Sequence, residues 1–196
     1  MSRNACKPGQ GEFLTAADWS LYRRWHEKKT ITERNQTMAG SETLTKETKD
    51  IIAELIRAYW MEMEAVQNYV ANSTNLVGVR AEEIKKSLAL DITAEIGHAQ
   101  QLAKRMHVLG GQVPGSMAFK AEQKQLQPPT DPADVVAVIK GVISVEDAAI
   151  GQYKKIISLC DGVDYPTQDM CITLLADEEE HRREFLGFLV EYEREQ

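Results

Sequence analysis

Cysteine is scarce in this chain, with only Cys6, Cys160 and Cys171 among 196 residues. No two of them form a Cys-x-x-Cys pair. An odd number of widely spaced cysteines excludes a disulfide framework, and it also excludes zinc or rubredoxin-type iron sites built from thiolates. Because this cysteine usage fits a reducing compartment, we expect a cytoplasmic protein.

Long hydrophobic runs are also missing. No window approaches the roughly 18 uninterrupted apolar residues that a membrane span requires. The N-terminal sequence MSRNACKPGQGEF lacks the apolar segment of a signal peptide. We therefore expect neither membrane association nor export.

Positive charge is in deficit, because 23 Lys and Arg stand against 30 Asp and Glu, a net charge of −7. An acidic surface attracts cations rather than nucleic acid. The segment before Gln36 has seven basic and four acidic residues, hence +3, which is too weak to predict DNA binding. The length fits one domain, predicted at residues 46–196, after an N-terminal extension of residues 1–45 with a short helix.

Six prolines occupy few places and leave long proline-free stretches, which contain four segments of helical length. In each segment apolar residues recur every three or four positions, which is typical of one helical face. Gly110 and Gly111 predict the end of the second helix, and Asp131 followed by Pro132 predicts the start of the third. The predicted helices cover residues 46–73, 81–109, 132–160 and 166–196.

The connections between these helices differ in length. Those after the first and third helices are short, whereas roughly twenty residues separate the second helix from the third. Short connections make neighbouring helices antiparallel, and a long one can cross the whole bundle. The sequence therefore predicts an all-α fold, an antiparallel four-helix bundle with a long crossover between its second and third helices.

Each inward helical face contains a carboxylate where leucine would be expected. The first and third helices each carry one glutamate at such a position, and the second and fourth each carry a Glu-x-x-His pair. Residues three apart share a helical face, so each pair offers an oxygen and an imidazole nitrogen to the interior. The six candidate metal ligands and catalytic residues are Glu62, Glu95, His98, Glu146, Glu178 and His181.

Four facing carboxylates should not be stable in a metal-free core, because burying one unpaired charge costs several kcal/mol. Two divalent cations supply matching positive charge, which predicts a dinuclear site. Tyr69 and Tyr153 are interpreted as core aromatics hydrogen-bonded to its surroundings. Asp91 and Arg105 fit either partners of the ligands or a solvated face, and Glu64 is predicted to lie off the inward face.

An internal repeat supports the same site. The pattern E-x-x-A-[VI]-x-x-Y begins at Glu62 and again at Glu146, 84 residues later. Glu95 and Glu178 are 83 residues apart. A duplicated helical hairpin explains these offsets and predicts a near-twofold axis through the metal pair.

Three motifs carry a resemblance to a known family: E-x-x-A-x-x-x-Y from Glu62, EIGHAQQLAKRMHVLGG from Glu95 and DEEEH ending at His181. They resemble the ferritin-like superfamily, and within it bacterioferritin and Dps-like ferritins. The resemblance implies that Glu95 and Glu178 bridge two irons. It further implies that Glu62 with His98, and Glu146 with His181, complete one iron each.

The resemblance also bears on haem and on assembly. Bacterioferritins bind haem through a methionine directly after the first Glu-x-x-His glutamate, and Ile96 occupies that position here, so no haem is expected. Only fifteen residues follow His181, which leaves little room for a fifth helix. We expect a homo-oligomer, either a cage or a smaller assembly.

The implied function is oxidation of Fe(II) to Fe(III) by O₂ or H₂O₂ at a dinuclear iron site, for iron storage and detoxification. The alternative is a peroxide-scavenging dimetal enzyme, either rubrerythrin-like or, with manganese in place of iron, manganese-catalase-like. A third hypothesis is a helical interaction module without metal.

Overall fold

The computed structural model describes residues 44–194. Over that range it contains no strand and four long helices, which confirms the predicted all-α bundle. The helices are α1 (Lys46–Asn75), α2 (Ala81–Val108), α3 (Val135–Cys160) and α4 (Tyr165–Arg194). No segment of these helices is both long and apolar enough to cross a membrane. The predicted extension lies outside the described residues except for its last two, so it stays a prediction.

The boundaries of α1 and α2 follow the sequence signals. The Thr45 hydroxyl accepts a hydrogen bond from the backbone N–H of Thr48 at 3.2 Å, which caps the start of α1. Gly110 adopts a φ of 82° just after α2, and the N–H of Gly111 donates to the Met106 carbonyl at 2.9 Å. A glycine in the left-handed region closes the helix, as predicted.

The start of α3 differs from the prediction. The helix begins at Val135, three residues after Pro132, because Asp134 rather than Asp131 caps it. The Asp134 carboxylate accepts from the N–H of Ala137 at 3.0 Å. Asp131 forms a local turn instead, in which its carboxylate accepts from the N–H of Ala133 at 2.9 Å. Two adjacent capping signals compete here, and the one nearer the apolar run determines the boundary.

The four helices form two hairpins. Residues 76–80 join α1 to α2, and residues 161–164 join α3 to α4, so each pair is antiparallel. The crossover, residues 109–134, connects the hairpins and contains two short 3-10 turns at Ser116–Ala118 and Lys124–Leu126. Between the hairpins, α1 approaches α3 more closely than α2 approaches α4.

Buried contacts hold the crossover on the bundle. The Glu64 carboxylate, only 5% exposed, accepts from the backbone N–H groups of Glu122 and Gln123 at 2.8 Å each. A Cβ at Gly141 of α3 would lie 2.6 Å from the Gln125 carbonyl, so only glycine allows this approach. Glu64 does lie away from the predicted metal ligands, but it has a structural role of its own.

The apolar core is divided into two clusters along the bundle. One contains Leu88, Val142 and Phe185, and the other contains Leu55 and Leu102. On α1 and on α3 the predicted glutamate ligand falls between the residues of the two clusters. A polar layer therefore crosses the middle of the bundle with apolar packing on both sides.

Cys160 and Cys171 belong to the second cluster and are fully buried as free thiols. Burial raises the pKa of Cys160 to about 11 and that of Cys171 to about 12. Both side chains therefore stay protonated and pack as small apolar residues.

Candidate metal centre

The polar layer brings all six predicted ligands together. α1 contributes Glu62 and α3 contributes Glu146, while α2 and α4 contribute the two Glu-x-x-His pairs. Five of the six are no more than 4% exposed, and the His181 side chain is 14% exposed. Because the i,i+3 spacing places each glutamate beside its histidine, α2 and α4 each present one oxygen donor and one nitrogen donor to the same space.

Two of the glutamates face both histidines. His98 Nδ1 lies 3.0 Å from Glu178 Oε1 and 3.2 Å from Glu95 Oε2. His181 Nδ1 lies 3.4 Å from Glu178 Oε2 and 3.5 Å from Glu95 Oε1. Each carboxylate thus turns one oxygen towards each histidine, which is the arrangement a carboxylate needs in order to bridge two ions.

The ligand atoms fall into two groups that could each hold a metal ion. Within each group the atoms lie within 4.8 Å of one another. The first group is Glu62, Glu95, His98 and Glu178, and the second is Glu95, Glu146, Glu178 and His181. The groups share Glu95 and Glu178, so two ions held there would be neighbours. Carboxylate oxygen with imidazole nitrogen is a donor set suited to iron and manganese.

Several of these atoms lack hydrogen-bond partners. Both carboxylate oxygens of Glu178 and Nδ1 of His181 are buried without a hydrogen bond. Buried polar atoms are nearly always satisfied, and an unsatisfied carboxylate is especially costly. These residues therefore fit a pair of divalent cations, which would satisfy the free oxygens directly.

The outer two glutamates have raised pKa values. Burial and the negative charges of Glu95 and Glu178 raise the pKa of Glu62 well above its ordinary value. Burial with the same two neighbours also raises the pKa of Glu146. A raised pKa favours the protonated carboxyl, and a nearby cation would oppose that shift.

The histidines carry positive charge in the same state. Burial alone would lower their pKa, but the nearby carboxylates of Glu178 and Glu95 raise it to about 10 for His98 and about 11 for His181. Burial would raise the pKa of Glu95, yet its contacts with His181 and His98 lower it to about 2. The metal-free cluster is thus held by ion pairs between imidazolium groups and the central carboxylates.

Two tyrosines connect α1 and α3 through hydrogen bonds to the glutamate of the opposite helix. Tyr69 of α1 donates a hydrogen bond to Glu146 Oε1 of α3, and Tyr153 of α3 donates to Glu62 Oε1 of α1 at 2.5 Å. Burial and the neighbouring glutamates raise the pKa of both phenols, so they remain donors. The prediction that these residues are core aromatics bonded to the site is confirmed.

The outward nitrogen of each histidine faces an aspartate. Asp177 Oδ2 lies 3.3 Å from Nε2 of His98, and Asp91 Oδ1 lies 4.0 Å from Nε2 of His181. Such carboxylates fix the ring orientation of metal-binding histidines. Asp177 was not predicted from the sequence, where its only signal is its place directly before Glu178.

Arg105 does not belong to this site. Its guanidinium donates to Asp164 at 2.6 Å and to Thr167 at 2.7 Å. These contacts tie α2 to the start of α4, next to the turn between α3 and α4. Of the two residues left open by the sequence, Asp91 lies beside the predicted ligand His181 and Arg105 does not.

Glu62→Gln should stabilise the metal-free protein, and increasingly so as pH rises. A glutamate whose folded pKa is raised favours folding below its unfolded pKa and loses that contribution as pH rises towards the folded value. Glutamine keeps an acceptor for Tyr153 and does not titrate. The variant's gain in free energy of unfolding over the wild type should grow by up to about 1.4 kcal/mol per pH unit above the unfolded pKa of Glu62. Urea unfolding of the chelator-treated protein measures this gain. A gain that does not change between pH 5 and pH 8 would contradict the raised pKa.

Comparisons with known proteins agree with this geometry. The ferritin-like domain family matches residues 52–194. The DNA protection during starvation protein of Pyrococcus furiosus is 25% identical over 142 residues, which cover 71% of this chain and 76% of that protein.

Solved structures show the same fold. A dodecameric thioferritin, the bacterioferritin-related protein of Bacteroides fragilis, is 25% identical with a TM-score of 0.65, covering 75% of this chain and 88% of its own. The bacterioferritin of Desulfovibrio desulfuricans is 19% identical with a TM-score of 0.66, covering 79% of this chain and 86% of its own. The family match extends over most of the chain and includes all six clustered residues, so this protein belongs to the ferritin-like domain family.

Proposed function

We propose that this protein oxidises Fe(II) to Fe(III) with O₂ or H₂O₂ at a dinuclear site, and that it stores the product as part of iron detoxification. The observation that carries the proposal is the sharing of Glu95 and Glu178 between the two ligand groups. Shared carboxylates hold two ions close together, so that two electrons can leave for one oxidant molecule.

The six residues have distinct roles in this proposal. Glu95 and Glu178 would bridge the ions, Glu62 and His98 would complete the first group, and Glu146 and His181 would complete the second; the membership of the two ligand groups supports this division. The iron pair supplies two electrons, which reduce O₂ to H₂O₂ or H₂O₂ to water with protons taken from solvent. Oxygen-rich ligation favours the harder Fe(III) ion, and this drives the oxidation.

Storage requires an enclosed volume, and we propose that the chain forms a homo-oligomer. The related Bacteroides fragilis protein is a dodecamer, and its chain aligns with this one over most of its length. The described bundle exposes large apolar side chains, among them Leu90 and Tyr165, that an assembly could cover.

Iron titration with mass analysis tests the proposal. Anaerobic Fe(II) titration of the full chain should saturate at two ions per subunit. Mixing with O₂ or H₂O₂ should then consume Fe(II) and leave Fe(III) bound to an oligomer, measured by absorbance and by native mass. Peroxide turnover without retained iron would indicate a peroxide-scavenging enzyme instead, and absence of stoichiometric metal binding would refute both.

A further inference from the structure

The two histidines differ in their access to solvent. Both project from α2 and α4, the pair of helices that approach each other less closely than α1 and α3. The His98 side chain is 4% exposed, whereas that of His181 is 14% exposed. Solvent therefore reaches the polar layer more readily at the second ligand group.

Asp91 lies beside His181, and one of its two carboxyl oxygens has no hydrogen-bond partner. It is on α2, one turn before Glu95, and is 5% exposed. Its Oδ1 lies 4.0 Å from His181 Nε2, and its Oδ2 is buried without a hydrogen-bond partner. Asp177, in contrast, lies closer to its histidine at 3.3 Å. Orientation of His181 alone does not explain why the second carboxyl oxygen of Asp91 is buried without a hydrogen-bond partner.

A polar path continues from Asp91 to the surface. Ser87 lies one turn before Asp91 on α2, and its hydroxyl donates to Glu184 Oε1 of α4 at 3.0 Å. Glu184 is exposed, and Ser87 is buried. Ser87 and Asp91 thus occupy successive turns of α2, between the exposed Glu184 on one side and His181 on the other.

We propose that Glu184, Ser87 and Asp91 form a loading route through which divalent metal ions reach the second ligand group. The inference rests on the dinuclear site proposed above and adds the way ions arrive there. Glu184 attracts the hydrated cation, and the free Oδ2 of Asp91 holds it before it passes His181. Acidic side chains that line a cleft raise the local concentration of cations and speed their association.

The association and dissociation rates of the metal ion, taken with its dissociation constant, distinguish a residue on a loading route from one that only positions His181. A route lowers the barrier in both directions, so its loss slows association and dissociation equally and leaves the dissociation constant unchanged. A residue that only orients His181 acts on the bound state, so its loss speeds dissociation and weakens binding. The two roles therefore predict different outcomes for the same variant.

Stopped-flow binding of Co(II) to the full chain without oxygen provides the test, because Co(II) reports binding by its visible absorbance. Asp91→Asn and Glu184→Gln should each lower the association and dissociation rates by at least about threefold, with the dissociation constant nearly unchanged. The effect of Glu184→Gln should shrink in high salt, since the attraction is screened. Glu179→Gln is the control, because it removes one exposed charge from α4 at a residue paired with Lys154.

Wild-type association rates in Glu184→Gln would overturn the route. So would an Asp91→Asn variant whose weaker binding comes only from faster dissociation, since Asp91 would then position His181. A wild-type chain that fails to bind two Co(II) ions would overturn the dinuclear site itself. The stoichiometry of the wild type thus tests the proposed function, and the rates of the variants test the route.

Discussion

Glu178→Ala should oxidise Fe(II) at least about tenfold more slowly than the wild-type protein in the rapid phase, and so should His181→Ala. Glu178 contacts both histidines and belongs to both ligand groups, so its loss affects both ions. Ligands that act as a unit do not contribute additively. The double variant should therefore be little slower than the more damaged single variant, measured by stopped-flow absorbance after anaerobic loading.

Glu179→Ala is the matched control for these variants. Glu179 follows Glu178 directly, but its side chain is 55% exposed and points away from the ligands to pair with Lys154. Glu64 would be a poor control although it too lies off the site, because its carboxylate holds the crossover. Rapid oxidation in both ligand variants, with two metals per subunit still bound, would refute the ligand assignment.

Metal binding should release between about two and about four protons per pair of divalent ions at neutral pH. Two come from His98 and His181, whose pKa values are raised to about 10 and about 11, and Glu62 and Glu146, whose pKa values are also raised, contribute the rest. Since metal ions compete with these protons, binding weakens as pH falls. The overall binding constant for two ions should rise by up to about four orders of magnitude per pH unit across the neutral range.

Titration of the metal-free protein with Zn(II) in weak buffer, followed with a pH indicator, measures this release. Calorimetry in two buffers of different ionisation enthalpy provides an independent value. Glu62→Gln removes one titrating group and should lower the release at saturation by about one proton. Binding that is independent of pH between 6 and 8 would show that the ligands are already deprotonated without metal.

The fold and the six clustered residues were predictable because both depend on helical periodicity. A glutamate in the apolar series of α1 or α3 must point inward once the helix forms, and the i,i+3 spacing fixes His98 beside Glu95. Tyr69 and Tyr153 follow from the same series, and their predicted place as core aromatics hydrogen-bonded to the site is confirmed. Local geometry alone was sufficient for these predictions.

The features that the sequence missed depend on contacts between distant segments. Asp177 is next to Glu178, but its proximity to His98 depends on how α4 lies against α2. Glu64 is bonded by Glu122 and Gln123, 58 and 59 residues further along. The start of α3 required a choice between two aspartates, Asp131 and Asp134, that carry the same capping signal. No periodic pattern records any of these contacts.

The crossed tyrosine bonds constrain how the two halves of this chain can evolve. Tyr69 of the first half bonds Glu146 of the second, and Tyr153 of the second bonds Glu62 of the first. Two copies of one hairpin related by a twofold axis would make the same exchange. A substitution at one of these four positions in one half leaves an unsatisfied partner in the other half, so the two halves cannot change independently there.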